Sequence, residues 1–276
     1  MPIIAETEGC PLAADLVGAG PPVLFLQGVG VHGSGWTPQT EALKDRFACL
    51  SFDNRGIGRS MPQGAPITVE RMAADALAVM DAAGWESAHV VGHSLGGLVA
   101  LQLALAARSR VRSLALLCTF SGGSCAAPLS PRMIWWGMRS RLGTRRMRRH
   151  GFLGLVLAPG SGEDRDELAA RLAALFGHDL ADQPSITSHQ LRALRRADLG
   201  DRLGELAALR TLIVAAAHDP IAPPASGRAL AAGIPGAEYL EVADASHGLP
   251  ITHAAWTNAS LAKHWLAAES RQSAAC

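Results

Sequence analysis

The chain has 276 residues, 49% of them hydrophobic, enough to bury one sizeable core but too few to favour two independent domains. Its 25 Lys and Arg stand against 24 Asp and Glu, so no global basic field gathers nucleic acid and no nucleic-acid partner is expected. No apolar run is long enough to span a bilayer, and the opening MPIIAETEGC lacks the basic and apolar regions of a secretory leader; a soluble, cytoplasmic protein without stable membrane association is expected.

The residues up to Val17, broken at Gly9 and Pro11, read as one or two edge strands. PPVLFLQ, ending at Gln27, is a buried strand that empties into the glycine-rich loop GVGVHGSGW. Gly28, Gly30, Gly33 and Gly35 lack the dinucleotide spacing, and no Gly-Lys-Ser/Thr follows, so no nucleotide is expected there. Pro38 to Arg46 reads as a short helix and FACLSFD as the next strand, followed by the polar loop DNRGIGRS, where Asp53 and Arg55 are expected to pair. TVERMAADALAVMDAAGW has Thr68 as N-cap, apolar positions at helical spacing and Gly84 as a stop.

The stretch from His89 to Ala107, HVVGHSLGGLVALQLALAA, joins a β-branched run to an apolar run of helical length. Between them Gly92, Ser94 and Gly96 alternate with His93 and Leu95, which reads as a sharp strand-to-helix turn with a serine at its apex. The turn exposes the Ser94 hydroxyl and sets the Leu95 N–H at a helix N-terminus, where unpaired donors favour a developing anion. VRSLALLCTF follows as another buried strand, in which Cys118 serves as a small hydrophobe. Strands this apolar, alternating with helices, indicate an α/β fold whose parallel sheet is covered on both faces.

From Ser121 to Ala197 the strand runs disappear, and PRMIWWGMRSRLG, EDRDELAARLAALFG and SITSHQLRALRRA read as helices. Residues 1–120 and 198–276 are therefore expected to form the core, and 121–197 a helical cap or lid insertion. Alternation resumes with TLIVAAA, HDPIAPP, a helical ASGRALAAG, AEYLEV and the loop ADASHGLP. A final amphipathic stretch from Thr252 to Ala268 precedes the tail SRQSAAC, expected to be unstructured.

A serine nucleophile needs a base, and the base an acid to orient it. Asp219 follows one late strand and His247 the next, so both are expected at the carboxyl edge that carries Ser94, where ligands bind in such sheets. His93 is expected to pack into the sheet, His218 to lie on the surface, and His253 and Asp244 are the competing base and acid. The five cysteines (Cys10, Cys49, Cys118, Cys125, Cys276) are odd in number, scattered and read as reduced thiols. No group has metal-ligand spacing, and neither a metal nor a cofactor is expected.

The order Ser94, Asp219, His247 together with GHSLGG resembles the α/β-hydrolase superfamily over nearly the whole chain, most closely its lidded bacterial esterases and lactonases. The resemblance implies a doubly wound, mostly parallel sheet with a helical lid. It also implies that Ser94 attacks, His247 acts as base and then acid, Asp219 orients His247, and the N–H groups of Leu95 and Val29 hold the oxyanion. Many relatives open the glycine loop with His-Gly where this chain has Gln27-Gly28, which leaves the donor register across Gly28, Val29 and Gly30 open. A serine in place of Asp argues against the epoxide-hydrolase and haloalkane-dehalogenase branches.

Apolar lid residues, among them Ile134, Trp135, Trp136, Met138, Phe152 and Leu155, are candidates to line the substrate pocket with Gly28. The six arginines Arg139, Arg141, Arg145, Arg146, Arg148 and Arg149 read first as a solvated face; the alternatives are recognition of a substrate carboxylate or contact with an anionic lipid surface. The expected function is hydrolysis of a small or medium carboxylic ester or lactone through an acyl-enzyme on Ser94. A carbon–carbon bond hydrolase, a cofactor-free haloperoxidase-like enzyme and a non-turnover receptor for a small ligand remain alternatives on the same fold, and the oligomeric state is left open.

Overall fold

The computed structural model describes residues 1–125, 131–160, 162 and 164–275. Strands β1 (Pro2–Thr7), β2 (Cys10–Val17) and β3 (Pro22–Leu26) are followed by α1 (Thr37–Leu43), β4 (Ala48–Phe52), α2 (Val69–Ala82), β5 (Ala88–His93), α3 (Leu95–Ala106) and β6 (Val111–Leu117). Helices α4 (Pro131–Arg139), α5 (Arg145–Val156), α6 (Arg165–Phe176) and α7 (Thr187–Arg196) separate β6 from β7 (Thr211–Ala216). The chain then forms α8 (Pro224–Gly233), β8 (Glu238–Val242), the short α9 (Leu249–Thr252) and α10 (Ala254–Ala275). Thus α10 carries the chain on through most of the expected tail, and Cys276 lies outside the described residues.

The strands make one sheet in the order β1-β2-β4-β3-β5-β6-β7-β8. From β3 onward all pairings are parallel, while β2 runs antiparallel to both β1 and β4. This is the doubly wound, mostly parallel α/β sheet that the alternation of apolar strands and helices predicts. Side chains of a strand alternate between faces, and the core divides accordingly. Leu24 and Leu26 join Leu114 and Leu116 in a cluster with α2 and α3, whereas Val23 and Phe25 join Ala115 and Leu117 on the opposite face with Trp36, Leu43 and Trp265. Chain order reverses beside β3, which has β4 on one side and β5 on the other, so the loops after β3 and β5 open the crevice where such sheets bind ligands.

Local signals set the helix ends. The Thr68 hydroxyl accepts from the Arg71 amide at 3.1 Å and Gly84 terminates the turn after α2 at φ +72°. The arginine run from Arg145 opens α5, capped by Thr144, whose hydroxyl accepts from Met147 N at 3.3 Å. The segment between β6 and β7 leaves and returns at one place: Gly123 N donates to Ala197 O at 3.0 Å and Leu199 N to Ser121 O at 2.8 Å.

The loop after β4 departs from the sequence expectation. Arg55 does not pair with Asp53; its guanidinium is buried and binds Asp75 of α2 through Nε at 2.6 Å and Nη2 at 2.5 Å, with Thr7 of β1 accepting at 2.9 Å. A planar fork matches a carboxylate in this two-bond geometry, and α2 presents Asp75 to it. Asp53 instead accepts from Gly33 N at 2.8 Å and Arg59 N at 3.0 Å, tying the glycine loop to the loop after β4. Removing one member of a buried ion pair strands the other, so Asp75→Ala is expected to lower the unfolding free energy by about 3–5 kcal/mol in urea titration. A loss below about 1 kcal/mol would show that Arg55 is not held by this pair.

Candidate active site

Ser94 sits between β5 and α3 with φ +55° and ψ −121°, a conformation that L-residues adopt only under constraint. The constraint is close packing of strand against helix. A Cβ on Gly92 would stand 2.2 Å from Gly96 O, and one on Gly96 would stand 2.1 Å from Leu26 O, so neither position admits a side chain. The strained peptide is held on both sides: Ser94 N donates to Leu117 O at 3.1 Å, and the Thr119 hydroxyl donates to Ser94 O at 2.7 Å.

His247, in the loop after β8, brings Nε2 to 3.0 Å from Ser94 Oγ and Nδ1 to 2.8 Å from Asp219 Oδ2. The other Asp219 oxygen accepts from Ile221 N at 2.8 Å and Ala222 N at 2.9 Å, so the carboxylate is fixed in place. Bonding to Asp219 puts the imidazole hydrogen on Nδ1 and aims the Nε2 lone pair at the serine. All three residues are buried. Cys118, just past β6 at φ +47°, lies in the same corner; burial and then the Asp219 carboxylate push its thiol far above the ordinary range.

His93 does not simply pack into the sheet as expected. It borders the cavity, its ring lies 4.8 Å from that of His247, and its Nε2 donates to His247 O at 2.8 Å. Burial, and next the neighbouring His247, lower it to about 3, so it remains a neutral donor that holds the backbone of His247. The competing pair is occupied elsewhere: His253 Nε2 lies 3.3 Å from Asp244 Oδ1, and His218 is exposed.

In the glycine loop, Gly28 packs against Ser94, with room for a Cβ only 3.3 Å from Ser94 Cβ. The Gly28 amide donates to the side chain of Gln27 at 3.1 Å, and the Gly30 amide to Gln190 Oε1 of α7 at 2.8 Å. Val29 N–H between them, like Leu95 N–H at the start of α3, has no protein acceptor among the described residues. Two free amides beside the serine can stabilise an oxyanion.

A cavity of about 590 Å³ opens on Ser94 and His247. Gly28, Ile134, Met138, Phe152 and Leu155 line it, but Trp135 and Trp136 do not. Trp135 is 53% exposed under the Arg139 guanidinium, and Trp136 turns onto Gly154 of α5, where a Cβ would meet its ring at 2.3 Å. A glycine that accepts an indole lets α4 and α5 pack closely, and this claims the ring for helix packing. Among the arginines, Arg145 binds Asp179 at 2.9 Å and Asp182 at 2.5 Å, Arg146 binds Asp166 at 2.7 Å, and Arg149 binds Asp179. The Arg146 guanidinium, with His150, holds the Asp166 carboxyl down to about 2. Arg145, Arg146 and Arg149 are thus matched by aspartates of α6 and of the turn that follows it; of the six arginines, only Arg141 lines the cavity. Sequence reasoning missed Gln190, although a glutamine on the apolar stripe Ile186, Ala193, Leu194 and Ala197 is a legible signal for a specific role.

A mostly parallel sheet with a strained serine after its fifth strand and a histidine after its last defines a class of hydrolases. The chain belongs to the alpha/beta hydrolase fold family, whose model matches residues 21–254. It is 33% identical over 266 residues, 95% of each chain, to a Caulobacter segnis protein named "Putative carbamate hydrolase RutD". Among solved structures it resembles an enol-lactonase from Burkholderia xenovorans LB400 at 25% identity and TM-score 0.80, covering 95% of this chain and 99% of that one. It also resembles Est816, described as an N-acyl homoserine lactone degrading enzyme, at 27% identity and TM-score 0.78, covering 94% and 99%.

Burial holds three imidazoles neutral: His93 and His89 are lowered to about 3 and His264 to about 4. An unfolded imidazole titrates near about 6.5, so below that pH the unfolded chain binds protons first. Their contribution is complete above about pH 6.5 and is lost as pH falls toward the folded values, at up to about 1.4 kcal/mol per pH unit for each ring. His93→Gln removes one titration, and urea unfolding between pH 6 and pH 4.5 is expected to show a shallower decline than wild type. An unchanged slope would mean that His93 already protonates readily in the folded protein.

Proposed function

We propose that this hydrolase cleaves a carboxylic ester or lactone through an acyl-enzyme on Ser94. The observation that carries the reading is the unbroken hydrogen-bonded chain from Asp219 through His247 to Ser94, opening on a largely apolar cavity. Ser94 Oγ attacks the carbonyl carbon while its proton passes to His247 Nε2. The oxyanion is held by the amides of Leu95 and Val29, each worth about a hundred- to a thousandfold in turnover. Collapse expels the alkoxide, which takes the proton from His247. Water then attacks the acyl group, gives a proton to His247, and leaves the acid as Ser94 recovers its hydrogen. In a lactone the leaving hydroxyl stays tethered to the acyl group until water releases both. The helices of residues 121–197 serve as a cap over this chemistry, with Met138 and Phe152 against the acyl or alcohol part.

The likeness to two lactone-cleaving proteins supports this choice of bond. The relative named for carbamate favours a second reading, since a carbamoyl carbon is open to the same attack. A bare carbamate is small and polar, whereas a cavity of about 590 Å³ with mostly apolar walls suits a larger acyl group.

The test is pre-steady-state hydrolysis of p-nitrophenyl esters of graded acyl length and of p-nitrophenyl carbamate, with intact mass after an active-site phosphonate. Wild type is expected to show an ester burst and one adduct; Ser94→Ala forms no adduct and loses turnover by about 10⁴-fold or more. Turnover of the carbamate alone would replace the ester reading with the second. A folded wild type that gives neither burst nor adduct, yet melts higher with a lactone bound, would make the protein a non-turnover receptor.

A further inference from the structure

The helices between β6 and β7 grip both loops that carry the reacting groups. On the glycine loop, Gln190 Oε1 accepts from Gly30 N at 2.8 Å while His178 Nε2, just past α6, donates to Gly30 O at 2.9 Å. The peptide units on either side of Gly30 are thus pinned from the same segment. His32 N also donates to Phe176 O at 3.3 Å, and the Ser34 hydroxyl to Leu175 O at 2.7 Å. On the other loop, Gly248 N, next to His247, donates to Val156 O of α5 at 2.8 Å.

Gln190 is an expensive way to hold a loop. It is 0% exposed, interrupts an apolar stripe, and leaves its own Nε2 buried without an acceptor among the described residues. A buried donor without an acceptor is unfavourable, so an apolar residue would serve packing better. What Gln190 adds is a single acceptor for the amide that follows Val29 in the chain. Fixing the 29–30 peptide plane fixes the ψ angle of Val29 and limits how its own peptide can turn.

We propose that Gln190 and His178 are positioning residues for the Val29 amide, so that the helical segment builds half of the oxyanion hole. This rests on the acyl-enzyme reading above. The segment is then part of the hydrolytic machinery, and undocking it from Gly30 disables the hole even when substrate still reaches Ser94.

Gln190→Met keeps the length and removes the acceptor; Gln190→Glu keeps an oxygen there; His178→Phe removes the second tie. With a p-nitrophenyl ester, Gln190→Met is expected to lower kcat about 10-fold at nearly constant KM, less than outright loss of an oxyanion donor. Its Tm should stay within a few degrees of wild type, phosphonylation of Ser94 should slow in proportion, and hydrogen exchange in the peptide 27–32 should quicken. Gln190→Glu should recover most of kcat, and His178→Phe should repeat the kcat loss should the methionine variant not fold. Wild-type kcat and exchange in Gln190→Met and His178→Phe would overturn the proposal, as would a kcat loss matched by a falling Tm and a rising KM. The two readings fail separately. A wild type without ester turnover or adduct defeats the acyl-enzyme, whereas rapid adduct formation in wild type and variants alike defeats only the positioning role.

Discussion

The site depends first on a steric condition: a strand and a helix meet at Ser94 with no space for a Cβ at Gly92 or Gly96. Because α3 presses against the ends of β3 and β5, the serine takes a positive φ and its hydroxyl projects from the carboxyl edge of the sheet. The same contact sets the first amide of α3 beside the hydroxyl. Bonds to Leu117 O and from Thr119 hold the strained peptide, so β6 also supports the geometry. Strands β7 and β8 then need only end at the same edge to bring Asp219 and His247 within reach.

This explains which parts were legible in the sequence. Close backbone approach demands glycine, and glycine around a serine between a β-branched run and an apolar run can be read directly. Asp219 and His247 were readable because each follows a strand-length apolar run, and parallel strands place their ends together. The partner of Arg55 was not readable, because Asp75 lies twenty positions away on a helix whose rotation decides which side chain meets the guanidinium. Trp135 and Trp136 misled for a related reason. Their hydrophobicity says that they need cover, while the small Gly154 on a separate helix supplies it for Trp136. Which amides of the glycine loop have acceptors depends on where two glutamines, Gln27 and Gln190, direct their carbonyl oxygens, and no spacing rule contains that information.

The segment between β6 and β7 has its own apolar centre, in which Leu153, Leu168, Leu172 and Phe176 pack with Val31 of the glycine loop and Ile251 of α9. Its packing therefore includes a residue of the glycine loop and one of the short helix that follows His247. The arginines do not conflict with this, since their partners are aspartates of the same segment and their charges are largely balanced locally. Exposed pairs of this kind contribute little stability each, and the apolar cluster ties the segment to the glycine loop and α9.

The buried thiols give the molecule a chemical selectivity of its own. Cys10, Cys49 and Cys118 are free and buried, and burial raises each of them, Cys49 to about 12. Only a thiolate attacks alkylating agents and peroxides at useful rates, so these sulfurs stay silent in neutral solution. An electrophile entering the cavity meets the Ser94 hydroxyl, while Cys118 is kept protonated by burial first and by the Asp219 carboxylate second. Burial, aided by the Asp219 charge, thereby keeps a soft nucleophile beside the site in its unreactive thiol form.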